Sequence, residues 1–276
     1  MITKQKIAIL LTCYNRKAKT ISCLQSLFQC LLPENYTFEV FLVDDGSTDG
    51  TSDAVKLNFP LVKIFTGNGN LFWNRGMHLA WEYALKSEKF DYFLWLNDDV
   101  LLFENALSNL FETAPDNKSI IVGTMCSKNN TSETTYGGLD KKSNLISPNG
   151  TAQQCYEFNG NLVLIPSYVY NKIGNLDPVF HHAIGDFEYA LRANKNGINS
   201  YVSTKYSGSC EVHSSLPEWC LPEISIRKRF KVLYSPLGNS HPYYFFHFEN
   251  RHFGLFVAVK HYLSIHLRAI FPRLWK

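Results

Sequence analysis

Tyr92-Phe93-Leu94-Trp95-Leu96-Asn97-Asp98-Asp99-Val100 carries five apolar residues straight into two adjacent carboxylates. A short apolar run bounded by polar residues reads as a strand buried on both faces. Two carboxylates at its end are costly to desolvate unless a cation or hydrogen-bond donors compensate them. A divalent cation would supply that compensation. A second run, Val40-Phe41-Leu42-Val43, ends the same way on Asp44-Asp45. A single Asp pair more often opens a turn or caps a helix. Two pairs at strand ends point instead to a cleft at the carboxyl edge of an α/β sheet, where open sheets bind ligands.

Around these two runs the chain alternates. Residues 7–12 read as a buried strand, and Ile21, Leu24, Leu27, Phe28, Leu31 and Leu32 then follow helical spacing up to Pro33. A strand over 39–43, a polar turn over 44–50 leading into a helix, and a strand over 62–65 follow. Gly67-Asn68-Gly69-Asn70 forms a loop, and Met77, Ala80, Trp81, Ala84 and Leu85 line one helix face before the strand at 92–96. This order predicts an α/β fold, a Rossmann-like and mostly parallel sheet flanked by helices. Beyond Asn97 the rhythm loosens. A helix over 104–112, a strand over 120–124, turns or a small hairpin over 127–154, a strand over 162–165 and helices over 167–173 and 185–196 are expected. Residues 1–226 read as one domain, 1–100 a nucleotide-binding-like half and 101–226 a more irregular half.

The 276 residues are 45% hydrophobic and 18% charged, which suits a sizeable core and excludes a disordered chain. The seven cysteines include no Cys-x-x-Cys pair, so neither a disulfide framework nor a zinc site is indicated. With the apolar run 7–11 too short for a signal peptide, a cytoplasmic protein is expected. Gly67–Asn70 is not a dinucleotide fingerprint, and no Walker-type Gly-Lys-Ser/Thr is present.

Asp186 opens a helical pattern, a common capping position. Glu188 and Arg192 lie four apart, so they share a helix face. His213 follows an apolar strand end and has the chemistry of a metal ligand or phosphate donor.

In register, Leu11-Thr12-Cys13-Tyr14-Asn15-Arg16, Val43-Asp44-Asp45-Gly46-Ser47-Thr48-Asp49, Asn97-Asp98-Asp99, Phe158-Asn159-Gly160-Asn161 and Gly185-Asp186-Phe187-Glu188 resemble the family 2 glycosyltransferases with the GT-A fold. The Gly69-Asn70-Leu71-Phe72-Trp73 loop is similar to the rhamnosyltransferase-like branch of bacterial surface-polysaccharide (O-antigen or capsule) synthesis. The resemblance implies an inverting enzyme that moves a sugar from a dTDP- or UDP-sugar to a glycan or lipid-linked acceptor. Tyr14, Asn15, Asp44 and Asp45 would hold the nucleobase and ribose, with Thr12, Arg16, Asn70, Arg75, Asn97 and Asp98 completing the donor set. Asp99, with Asp98 beside it, would hold Mg2+ or Mn2+ on the donor diphosphate, and His213 is the further candidate ligand from its own chemistry. Asp186 would be the general base, and Asn159, Gly160, Glu188 and Arg192 would face the acceptor. Two alternatives are a sugar-phosphate nucleotidyltransferase and a non-catalytic binding protein of the same shape. The first wants a Gly-rich, basic loop after the first strand, and residues 12–17 are not one.

Residues 227–276 hold nine Lys/Arg against one acid, Glu249, while the body before them is net acidic. Basic residues interleaved with aromatics predict a helical extension in contact with an anionic membrane, which would place the protein peripherally at the inner face of the cell membrane. The extension matches no nucleic-acid-binding module.

Overall fold

The computed structural model describes residues 4–212, 216–238 and 240–275. The first half runs β1 (Gln5–Cys13), α1 (Lys17–Phe28), β2 (Tyr36–Asp44), α2 (Thr51–Asn58), β3 (Lys63–Thr66), α3 (Phe72–Ser87) and β4 (Tyr92–Leu96). The second runs β5 (Leu101–Leu102), α4 (Ala106–Thr113), β6 (Ile120–Cys126), β7 (Thr134–Tyr136), β8 (Gly138–Leu139), β9 (Gln153–Cys155), β10 (Glu157–Phe158), β11 (Leu162–Pro166), α5 (Ser167–Ile173), α6 (Gly185–Lys195) and β12 (Ser200–Ser209). A 3-10 turn (Glu218–Cys220), α7 (Ile226–Leu233), α8 (Pro242–Phe253), α9 (Leu255–Ile270) and a 3-10 turn (Pro272–Leu274) complete it.

The main sheet has the order β3-β2-β1-β4-β11-β6-β12-β5. Strands β3, β2, β1 and β4 are parallel, and β11 runs antiparallel between β4 and β6. The strand runs are continuously apolar because the sheet is covered on both faces. Ile7, Ile9 and Leu11 pack beneath α1, α2 and α4, while the intervening Ala8 and Leu10 join Met77, Trp81 and Trp95 beneath α3. The chain leaves β1 toward β2 on one side and reaches β4 on the other. That reversal opens a crevice at the carboxyl ends of β1 and β4.

Two expectations change in detail. Helix α1 stops at Phe28 rather than Leu32, because the backbone turns away and Leu31 N–H bonds the Glu104 carbonyl at 2.8 Å. The 127–154 stretch is not a self-contained hairpin: β7 pairs with β6, β9 with β12 and β8 with β10.

At the C-terminus Gly254, at φ 93°, breaks the apolar run into the antiparallel-packed pair α8 and α9. Helix α8 lies on the body, with Phe248 and Phe245 packed against Phe180, Ile184 and Leu191. Helix α9 rests on α7 and α8, and leaves Phe256, Leu263, Leu267 and Ile270 exposed. No helix among the described residues is long and apolar enough to cross a membrane.

Candidate active site

The crevice is a cleft of about 910 Å3. Its walls come from the residues just past β1 (Cys13, Tyr14, Arg16), past β4 (Asn97, Asp98, Asp99), before β11 (Asn159, Gly160, Asn161) and at the start of α6 (Ile184, Asp186, Phe187). The strand register explains the meeting. Leu162 of β11 pairs with Leu96 of β4, so the antiparallel strand begins where its neighbour ends. Asn97 N–H then bonds the Asn161 carbonyl at 3.0 Å, and Gly160 N–H bonds Asp186 Oδ2 at 2.9 Å. Two hydrogen bonds on adjacent residues thus connect the 97–99 acids to Asp186.

Asp98 and Asp99 do not sit bare. The Arg16 guanidinium lies 3.3 Å from Asp98 Oδ1 and 2.5 Å from Asp99 Oδ2, and Thr20 Oγ1 donates to Asp98 Oδ2 at 3.3 Å. Burial outweighs these contacts and pushes the Asp98 carboxyl up to about 6. A buried carboxylate still short of positive charge is the donor chemistry that suits a hard divalent cation. Among the described residues no group of three His, Cys, Asp or Glu side chains forms a metal cage. Two carboxylates fit Mg2+ or Mn2+, which are held by one or two carboxylates together with phosphate oxygens and water. His213 lies outside the described residues.

Asp186 is held at the first turn of α6, its Oδ1 accepting the Phe187 N–H at 2.9 Å. Burial raises its carboxyl to about 6, opposed by the bonds from Gly160 and Phe187. The backbone pays for this placement: Ile184, β-branched, sits at φ 77°. Among the described non-glycine residues only Asn15, Phe72, Ser143 and Ile184 have positive φ, and three of these line the cleft. Strained backbone gathered at one concavity makes it a candidate functional site. Two glycines permit close approach. A Cβ on Gly185 would lie 1.8 Å from Asn74 Oδ1, and one on Gly160 would lie 2.5 Å from the Trp73 indole.

Of the residues assigned from sequence, Thr12, Tyr14, Arg16, Asp45, Asn97, Asp98, Asp99, Asn159, Gly160 and Asp186 line the cleft. Asp45 does so with both oxygens taken, accepting N–H bonds from Gly69 (2.8 Å), Leu71 (2.8 Å) and Phe72 (3.0 Å). It shapes the 67–72 loop. Asp44 bonds Ser47 N–H at 2.8 Å and Ser52 Oγ, and Asn15 Oδ1 accepts from Thr48 N–H at 2.7 Å. Both hold the loops behind the cleft instead of lining it. Asn70 sits in a turn, its N–H on Asn68 Oδ1 at 3.0 Å, and Arg75 turns away to the Pro178 carbonyl at 2.8 Å and to His181.

Glu188 and Arg192 require correction. They do face each other, at 2.9 Å, but in the interior behind α6, where Arg251 of α8 also meets Glu188 at 2.9 Å and Asp177 at 2.7 Å. Burial opposes the Glu188 charge, yet His252, Arg192 and Arg251 more than offset it and bring its carboxyl down to about 2. This cluster ties α8 to the body and does not line the cleft.

Several cleft residues were not assigned from sequence. Trp73 donates its indole N–H to Asn97 Oδ1 at 2.6 Å, and so fixes the residue before the acid pair. His182 takes the Trp73 backbone N–H on Nδ1 at 3.4 Å, and burial together with the Arg16 charge pushes its imidazole below the usual histidine range. Leu237, Phe245 and Phe248 bring the C-terminal segment into the cleft wall. Trp73 and the aromatic run at 243–246 were visible signals; that they share one pocket is set by tertiary packing.

The wider likeness agrees with this geometry. TarS of S. aureus matches with a TM-score of 0.56 at 19% identity, over 90% of this chain and 44% of that one. GalNAc-T7, solved with UDP, GalNAc and Mn2+, matches with a TM-score of 0.60 at 15% identity, over 88% and 48%. The mannosyltransferase PcManGT from Pyrobaculum calidifontis, in complex with GDP-Man and Mn2+, matches with a TM-score of 0.55 at 17% identity, over 97% and 75%. The chain thus spans less than half the length of the first two, and at these identities the likeness is one of fold, the GT-A fold. No curated protein matches the chain. The sequence profile of Glycosyl transferase family 2 matches residues 8–186, from the middle of β1 to Asp186 itself, and the chain belongs to that family.

Proposed function

We propose that the protein is an inverting, metal-dependent glycosyltransferase that transfers a sugar from a nucleotide-diphosphate sugar to a hydroxyl of a glycan or lipid-linked acceptor. The observation that carries this reading is the joining of Asp98-Asp99 and Asp186 in one cleft through residues 160 and 161. Tyr14, Arg16 and the two acids form the donor side, and Asp186 with the aromatic wall of α6 and α8 forms the acceptor side. Bound there, a divalent ion would supply positive charge for the diphosphate leaving group.

The chain's own part is proton transfer and positioning. An acceptor hydroxyl is a poor nucleophile until its proton is removed. As the acceptor oxygen bonds to the anomeric carbon, the bond from that carbon to the diphosphate oxygen breaks and the hydroxyl proton passes to Asp186. A single displacement inverts the anomeric centre. The N–H bonds from Gly160 and Phe187 fix its direction, and the carboxylate's four lone-pair sites leave it room to take that proton.

The finer reading is a UDP- or dTDP-sugar donor, rhamnosyltransferase-like chemistry and a lipid-linked acceptor in cell-surface polysaccharide synthesis. The apolar outer face of α9, flanked by Lys260, Arg268 and Arg273, supports peripheral attachment to an anionic bilayer. Thermal melting with UDP, dTDP and GDP, each with and without Mn2+, tests the donor side. A nucleotide that raises Tm only with Mn2+ is the expected result, since a ligand at a hundred times its Kd stabilises by about 2.7 kcal/mol. Melting unmoved by every nucleotide would contradict it.

A further inference from the structure

We infer that Arg16 is an internal counter-ion, holding the cation position of the Asp98-Asp99 pair before the donor binds and passing to the donor's diphosphate when a divalent cation enters. The inference rests on the proposed function. It follows from who touches the pair. Arg16 reaches across from the start of α1 to both carboxylates, 3.3 Å from Asp98 Oδ1 and 2.5 Å from Asp99 Oδ2. The other Asp99 oxygen faces the Cys210 thiol at 3.8 Å. Lys19, the other cation in range among the described residues, stands 3.9 Å from Asp99 with a half-exposed side chain, where water screens it. Arg16 itself lines the cleft with Tyr14 and His182. It can therefore turn from the carboxylates to a ligand without leaving the site.

Charge decides the order of events. One guanidinium neutralises half of the pair's charge, and a divalent ion neutralises all of it. Both together leave one positive charge over, with only an anion to receive it. A cation arriving alone must therefore displace Arg16 from its partners and leave it unpaired against a partly buried wall. A nucleoside diphosphate gives the fork-shaped guanidinium a bidentate partner at the same moment. Cation and diphosphate should bind cooperatively, with Arg16 as the coupling element, and by linkage each strengthens the other equally.

The test measures Mn2+ binding to the full chain by paramagnetic resonance, with Mn2+ alone and with UDP present. It compares the wild type with Arg16→Gln, Arg16→Lys and Lys19→Gln. Arg16→Gln should bind Mn2+ alone about tenfold tighter, and UDP should then improve that affinity about tenfold less than in the wild type, within the usual range of coupling energies. Arg16→Lys, which keeps the charge but not the fork, should restore only part of the coupling. Lys19→Gln should change Mn2+ affinity by less than about fivefold, as for an exposed pair. If Arg16→Gln binds Mn2+ no tighter than the wild type while UDP and Mn2+ still bind together, the inference is overturned and the proposed function stands. A wild type that binds none of UDP, dTDP and GDP in Mn2+ overturns both.

Discussion

In the proposed reaction, Asp186 is the residue on which the chemistry turns. It was legible as a carboxylate at a helix start, and the structure adds the burial and the two N–H bonds that set its basicity. Its carboxyl is raised, so the folded chain holds the proton more firmly than the unfolded one. The ionised form accordingly costs stability as pH climbs from the usual carboxylate range to about 6. For transfer the sign reverses, because only the ionised form can take the acceptor's proton. With donor and Mn2+ saturating, kcat should fall about tenfold per pH unit below an apparent pKa near 6 and level off above it, measured as initial rates across pH 4.5–8. A flat profile through that window would remove Asp186 as the base. Glu188 shows what spacing alone leaves open. Its four-residue offset from Arg192 fixes a shared face, and only the arrival of α8 turns that face inward.

At the scale of elements, α8 and α9 carry the lesson. Both are rich in aromatics and basic residues, and an amphipathic helix has the same pattern whether its apolar face meets protein or lipid. The packing separates them. Helix α8 is buried against the body by Phe248 and the Arg251 bridges, and it lends Phe245 and Phe248 to the cleft. Helix α9 leaves Phe256 and Leu263 in solvent, 84% and 61% exposed. Deleting residues 227–276 would therefore open the cleft wall as well as remove the outer face. Point changes are the cleaner probe. Full-length protein should float with vesicles containing anionic lipid, and Phe256→Asp with Leu263→Asp should leave it in the unbound fraction with Tm unchanged within a few degrees. Equal flotation of both proteins would sink the bilayer reading.

For the whole molecule, the parallel half was legible because strands buried on both faces are written as continuous apolar runs, here at 7–11, 40–43 and 92–96. The second half was less so. Strands β5, β8 and β10 are two residues long, too short to carry a period, and the antiparallel direction of β11 depends on which neighbours it meets. That direction puts Asn161 beside Asn97 and makes one site from two halves. The most direct test of this union compares donor binding and sugar transfer in the wild type and Asp186→Asn, at one pH with Mn2+ present. Donor affinity should stay within about threefold of wild type while transfer falls by about a thousandfold, the scale of losing a general base. Transfer within tenfold of wild type, or donor binding lost along with it, would contradict the division of the cleft into a donor side and a base.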